Sequence, residues 1–147
     1  MTDSEVLFRK LTSLRDHVAR MRRRRQVDLA QFRADVDRQD ALAMSLLVAV
    51  QDALDIALHV ASDEGWGIPA SYAAGCDMLA AHGVIDTALA MELARMASLR
   101  NRLAHGYASI DAERIWQELP SGLDALEAFA VAIARRLVGP QGEAAPP

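Results

Sequence analysis

Two guanidiniums, an amide, an imidazole and a phenol fall within eight consecutive positions of this chain, in the run Leu99-Arg100-Asn101-Arg102-Leu103-Ala104-His105-Gly106-Tyr107. Arginine offers planar, bidentate hydrogen bonding to phosphate, and histidine exchanges a proton near neutral pH without a metal. These are the groups that phosphodiester chemistry needs. Such a reaction requires a proton acceptor and donor, together with positive charge where negative charge develops at phosphorus. His105 suits the first role and Arg100 the second.

For these side chains to be reachable, the run must lie where a helix gives way to a loop. Leu89, Leu93, Met96, Leu99 and Leu103 recur at helical spacing, which predicts a fourth helix capped by Asp86 and stopped at Gly106. A separation of five residues rotates side chains by about 140° on an ideal helix, so Arg100 and His105 do not share a face. Either the helix loosens before Gly106, or the working site combines groups from two protomers. The second explains the spacing better.

The remaining elements follow from the same periodicity. Leu7, Leu11, Leu14, Val18 and Met21 predict an amphipathic helix over residues 4 to 24. Asp28 to Phe32 reads as a short helical turn, and Asp35 or Asp37 as the cap of a second long helix reaching Glu64. Between Ala41 and Ala61 that helix is apolar nearly all round, which places it centrally. Gly65 to Pro69 is loop chemistry, with glycine closing the second long helix and Pro69 opening a third near Ser71 that spans residues 69 to 81. A fifth helix starts near Asp111 and carries Ile115, Leu119, Leu123, Leu126, Phe129 and Ile133 inward, with a kink or short break expected at Pro120. The fold class is all-α: one up-and-down bundle of four to five helices over residues 1–138, followed by a proline-rich tail, 139–147, expected to be disordered.

Composition narrows the function classes. A chain of 147 residues with 52% apolar and 24% charged side chains is neither intrinsically disordered nor membrane-embedded. Its longest apolar run, Ala41 to Val50, is short of the roughly 20 residues a membrane span requires. The start MTDSEVLFRK lacks the apolar stretch of a secretory signal, and the single Cys76 fits a reducing cytoplasm. No His-Glu-x-x-His or paired-Cys pattern points to a metal, and no cofactor is expected.

The net charge of −4 is unevenly spread: residues 1–40 hold 10 basic and 7 acidic side chains, and residues 41–94 hold 7 acidic ones and no Lys or Arg. Basic groups resume with Arg95, Arg100 and Arg102, which suggests a local anionic partner and makes Arg95 and Arg102, flanking Arg100 on the same helix, candidates for contacting it. Arg22 to Arg25 read as a solvated cluster that compensates a helix dipole. His59 reads as a hydrogen-bonded core or interface residue, His17 and His82 show no partner spacing, and Met78, Met91 and Met96 read as core filler.

Arginine, four residues, histidine, any residue and tyrosine, followed by a helix opening in Ile110-Asp111, resembles the HepT branch of the HEPN superfamily. The stretch Asp55-Ile56-Ala57-Leu58-His59 agrees, and the resemblance covers residues 5 to 137. It implies a metal-independent ribonuclease toxin of a type VII toxin–antitoxin pair. Such a toxin is active as a homodimer whose cleft forms where two copies of the motif meet. It also implies a partner, an MntA-type minimal nucleotidyltransferase antitoxin that transfers AMP onto the motif's tyrosine. Carried over, Arg100 and His105 are catalytic, Asn101 is their polar companion, and Tyr107 is the site of AMP addition. An adenylyl group there adds negative charge and bulk that compete with RNA phosphate for the arginines.

Two other readings fit the same residues. Arg100, Asn101 and His105 suit an exposed helix end where a C-terminal histidine favours the helix dipole, and Tyr107 suits simple packing. A catalytically silent HEPN helical dimer that binds a nucleotidyltransferase or nucleotide has the same surface.

Overall fold

The computed structural model describes residues 3–106 and 111–139. Its elements are α1 (Asp3–Arg24), α2 (Leu29–Ala34), α3 (Val36–Asp63), α4 (Tyr72–Ala81), α5 (Thr87–Gly106) and α6 (Ala112–Val138), with no strand among the described residues. The expected four to five helices are therefore six. The difference lies at Asp28, whose side chain accepts from the Gln31 backbone while the Gln31 side chain accepts from the Asp28 N–H. This reciprocal cap, with Phe32 buried beneath it, turns the expected single turn into a helix of its own.

Four long helices make the bundle. Lys10 pairs with Asp55 and Arg24 donates to Ser45, so α1 and α3 run antiparallel. Arg22 meets Asp124 and Glu127 while Leu7 and Ile133 line one cleft, so α6 runs against α1 as well. The apolar stripes meet in one core that includes Leu14, Met21, Leu46, Ile56, Leu93, Leu123 and Phe129, all nearly inaccessible to water. Met96 belongs to this core, packed where Gly122 leaves room for it. Met91 does not; two residues from Leu93, it points about 200° away and stands 58% exposed. The α3 helix is long and apolar enough to cross a bilayer, and 56% of its most apolar window is buried within the bundle.

The caps at Asp35 and Asp86 fall where the side chains predict. The α4 helix begins at Tyr72 and not at Pro69, because the Ser71 side chain accepts from the Ala74 N–H and sets the start there. Asp35 caps α3, Ser71 caps α4, Asp86 accepts from the Leu89 N–H, and Asp111 caps α6. The expected break at Pro120 is absent, since α6 is continuous from Ala112 to Val138. Proline deprives the Trp116 carbonyl, four residues back, of its helical donor. Arg25 replaces it: its Nε donates to the Trp116 oxygen at 2.9 Å, and its guanidinium lies 4.2 Å from the Trp116 ring centroid.

The arginine run at the end of α1 is consequently not the solvated cluster expected. Arg22 binds Glu127 and Asp124, an arrangement that pushes its pKa up further, chiefly through the Glu127 hydrogen bond. Arg24 reaches α3, Arg25 reaches α6, and Arg23 alone of the four is exposed. Arg25→Ala is expected to lower the unfolding free energy by about 1–3 kcal/mol in urea denaturation. Adding Pro120→Ala should recover part of that loss, because residue 120 then supplies an N–H to Trp116. An unchanged urea midpoint in Arg25→Ala would show that the contact carries no weight.

Candidate active site

The site is built on the last two turns of α5. Leu99 and Leu103, one turn apart, are buried and fix the rotation of the helix against the core. That rotation leaves Arg100 half-buried and Asn101, Arg102 and His105 exposed. The helix stays α-helical through Gly106, so it does not loosen to bring Arg100 and His105 onto one face.

A different device narrows the angle between them. Asn101 and His105 are four residues apart and share a face, and Asn101 Oδ1 accepts a 3.0 Å hydrogen bond from Arg100 Nη1. Asn101 thus draws the Arg100 guanidinium toward the His105 side. Arg100 Nε is buried and has no hydrogen-bond partner among the described residues, so the guanidinium keeps unused donor capacity.

The flanking arginines differ. Arg95 and Arg102, seven residues apart, lie along one face. Arg95 is 3.2 Å from Glu92 in an exposed pair, which compensates its charge. Arg102 has no ion pair among the described residues, so its charge is the less compensated of the two. Tyr107 and Ile110 lie outside the described residues.

Other reactive side chains are placed away from this chemistry. Burial, with a smaller contribution from Asp77, pushes the Cys76 thiol up to about 11, so it is protonated and inert as a nucleophile at neutral pH. His59 is half-buried on α3, its Nε2 3.5 Å from Asp63. No cluster of three or more His, Cys, Asp or Glu side chains suited to a metal occurs among the described residues. His82, without a partner by spacing, stacks on Trp66, a pairing of two loops that no periodicity reveals.

The sequence pattern of the family described as ribonuclease HepT-like matches residues 14–133, nearly all of the bundle. The chain belongs to the HepT-like ribonuclease family. This HepT-like chain is 26% identical over 128 residues to the mRNA nuclease HepT of Shewanella oneidensis, covering 86% of this chain and 94% of that one. Among solved structures it superposes on the tri-AMPylated Shewanella oneidensis HEPN toxin in complex with its MNT antitoxin, with a TM-score of 0.77 at 26% identity over 91% of this chain and 98% of that one. The cytosolic Bacillus subtilis protein YutE shares the fold, with a TM-score of 0.78 at 19% identity over 95% and 93% of the two chains.

Proposed function

We propose that this HepT-like chain is the ribonuclease toxin of a toxin–antitoxin pair, working in the cytoplasm as a homodimer and cutting RNA without a metal. The observation that carries the reading is the exposed end of α5, where Arg100, Asn101, Arg102 and His105 stand together in a chain whose HepT-like match spans residues 14–133. His105 serves as proton acceptor and donor for attack by the RNA's own 2′-hydroxyl. Arg100, oriented by Asn101, stabilises the developing charge at phosphorus. Arg102, and Arg95 once it leaves Glu92, hold the RNA backbone.

The partner in this reading is an MntA-like nucleotidyltransferase antitoxin that adds AMP to Tyr107. The likeness to a tri-AMPylated toxin bound to its MNT antitoxin supports it. Each adenylyl group places a phosphate charge two residues from His105 and occupies the arginines that would otherwise hold RNA.

The test is RNA cleavage by purified, unmodified protein in EDTA, followed by incubation with ATP and the nucleotidyltransferase. The expected result is cleavage that disappears as intact mass rises in AMP increments mapped to Tyr107. Tyr107→Phe should cut RNA and resist neutralisation. No cleavage by the unmodified chain on any RNA would leave the catalytically silent dimer as the better reading.

A further inference from the structure

The end of the bundle opposite His105 holds an open cleft of about 810 Å³ that the catalytic reading does not use. Its floor is apolar, formed by Val60, Val84 and Ile133 where α3, the loop before α5 and α6 come together. Four charged side chains line it: Asp63, Glu64, Arg135 and Arg136. Glu64 pairs with Arg136, and Asp63 lies 3.5 Å from His59, an imidazole that balances its charge only when protonated. Arg135 is exposed and has no ion pair among the described residues, so its guanidinium keeps all its donors for a ligand.

At the rim, Trp66 and His82 stack nearly parallel, with centroids 3.8 Å apart and an interplanar angle of 9°. The Arg136 guanidinium also lies over Trp66, 5.4 Å from its centroid. His82 Nδ1 is 2.9 Å from the Met78 carbonyl, which fixes the plane of the imidazole, yet the residue is exposed. A stack of this kind ends on a held, water-facing ring where a further planar group continues it. An aromatic platform beside a guanidinium with no ion pair among the described residues and an apolar floor fits a nucleobase and its phosphate.

We infer that this cleft is a second RNA contact, taking a base on His82 and a phosphate on Arg135. The inference rests on the RNA reading proposed above. The α5 helix separates the two sites; its 20 residues span roughly 30 Å, which is about nine stacked nucleotides at 3.4 Å each. The contact therefore selects for length, because an RNA held at His105 reaches the cleft only when it extends well beyond the scissile bond.

The test is fluorescence anisotropy of labelled 4- and 20-nucleotide RNAs with the full chain carrying His105→Ala, so that the RNA stays intact. Adding His82→Ala and Arg135→Ala should weaken binding of the longer RNA by roughly fivefold or more, as loss of one stacked base implies, and remove most of its advantage over the shorter one, which cannot reach both sites at once. His82→Phe should restore the stacking share, which loss of folding would not do. Equal binding of the 20-nucleotide RNA with and without the cleft substitutions overturns the inference. Saturable binding of free AMP or UMP that is lost in the same variant, with RNA binding unaffected, assigns the cleft to a mononucleotide and overturns the RNA source. Binding is read separately from cleavage, so a chain that binds long RNA through the cleft but cuts none would sink the catalytic reading and leave this one standing.

Discussion

His105→Ala lowers RNA cleavage in EDTA by about 10²- to 10⁴-fold, the range expected when a positioned general acid–base is removed. The loss should appear in turnover, because the imidazole is asked to move protons rather than to hold the strand. His105 is exposed at the end of α5, and its removal uncovers no buried group. The unfolding free energy from urea denaturation should therefore stay within about 0.5 kcal/mol of the parent, as for other surface substitutions. That combination separates chemistry from folding. Cleavage within threefold of wild type by the folded variant would remove His105 from the mechanism, whatever the fate of the arginines.

The legibility of the fold followed the physics of each element. Leu7, Leu11, Leu14, Val18 and Met21 are all buried as their spacing predicts, because one apolar stripe on a helix leaves a single way to bury it. The starts at Asp35, Asp86 and Asp111 were likewise readable, since capping is a local match between a short polar side chain and the first backbone N–H groups. Pro120 causes no short break, for a physical reason. Its local rule is sound, but the donor that satisfies the Trp116 carbonyl comes from Arg25, 91 positions away, and no spacing rule connects them. The same limit explains Trp66 and His82, whose stacking depends on how two loops meet. At the candidate site, the residue types and their exposure at the end of α5 were legible. The Arg100–Asn101 hydrogen bond was not, because it depends on rotamers rather than on order in the chain.

Mixing Arg100→Ala with His105→Ala, each nearly inactive alone, should restore about a quarter of wild-type cleavage if a twofold-symmetric dimer shares its sites between copies. The geometry of α5 motivates the experiment. Arg100 and His105 are about 140° apart on a helix that stays regular through Gly106, and Asn101 brings the guanidinium only part of the way round. A phosphate held between a base and a cation is then best served by Arg100 from one protomer and His105 from its partner. In a mixed dimer one site carries both substitutions and is dead, while the other carries neither and is intact. Random exchange makes half of the dimers mixed, each with one working site of two, hence the quarter. If both groups came from the same chain, every site in the mixture would lack one of them, and activity would stay at the level of the single variants. Exchange must be shown independently, for example by native mass spectrometry of differently tagged copies. Given that control, absence of recovery rules out the shared site and assigns the whole reaction to one copy of α5.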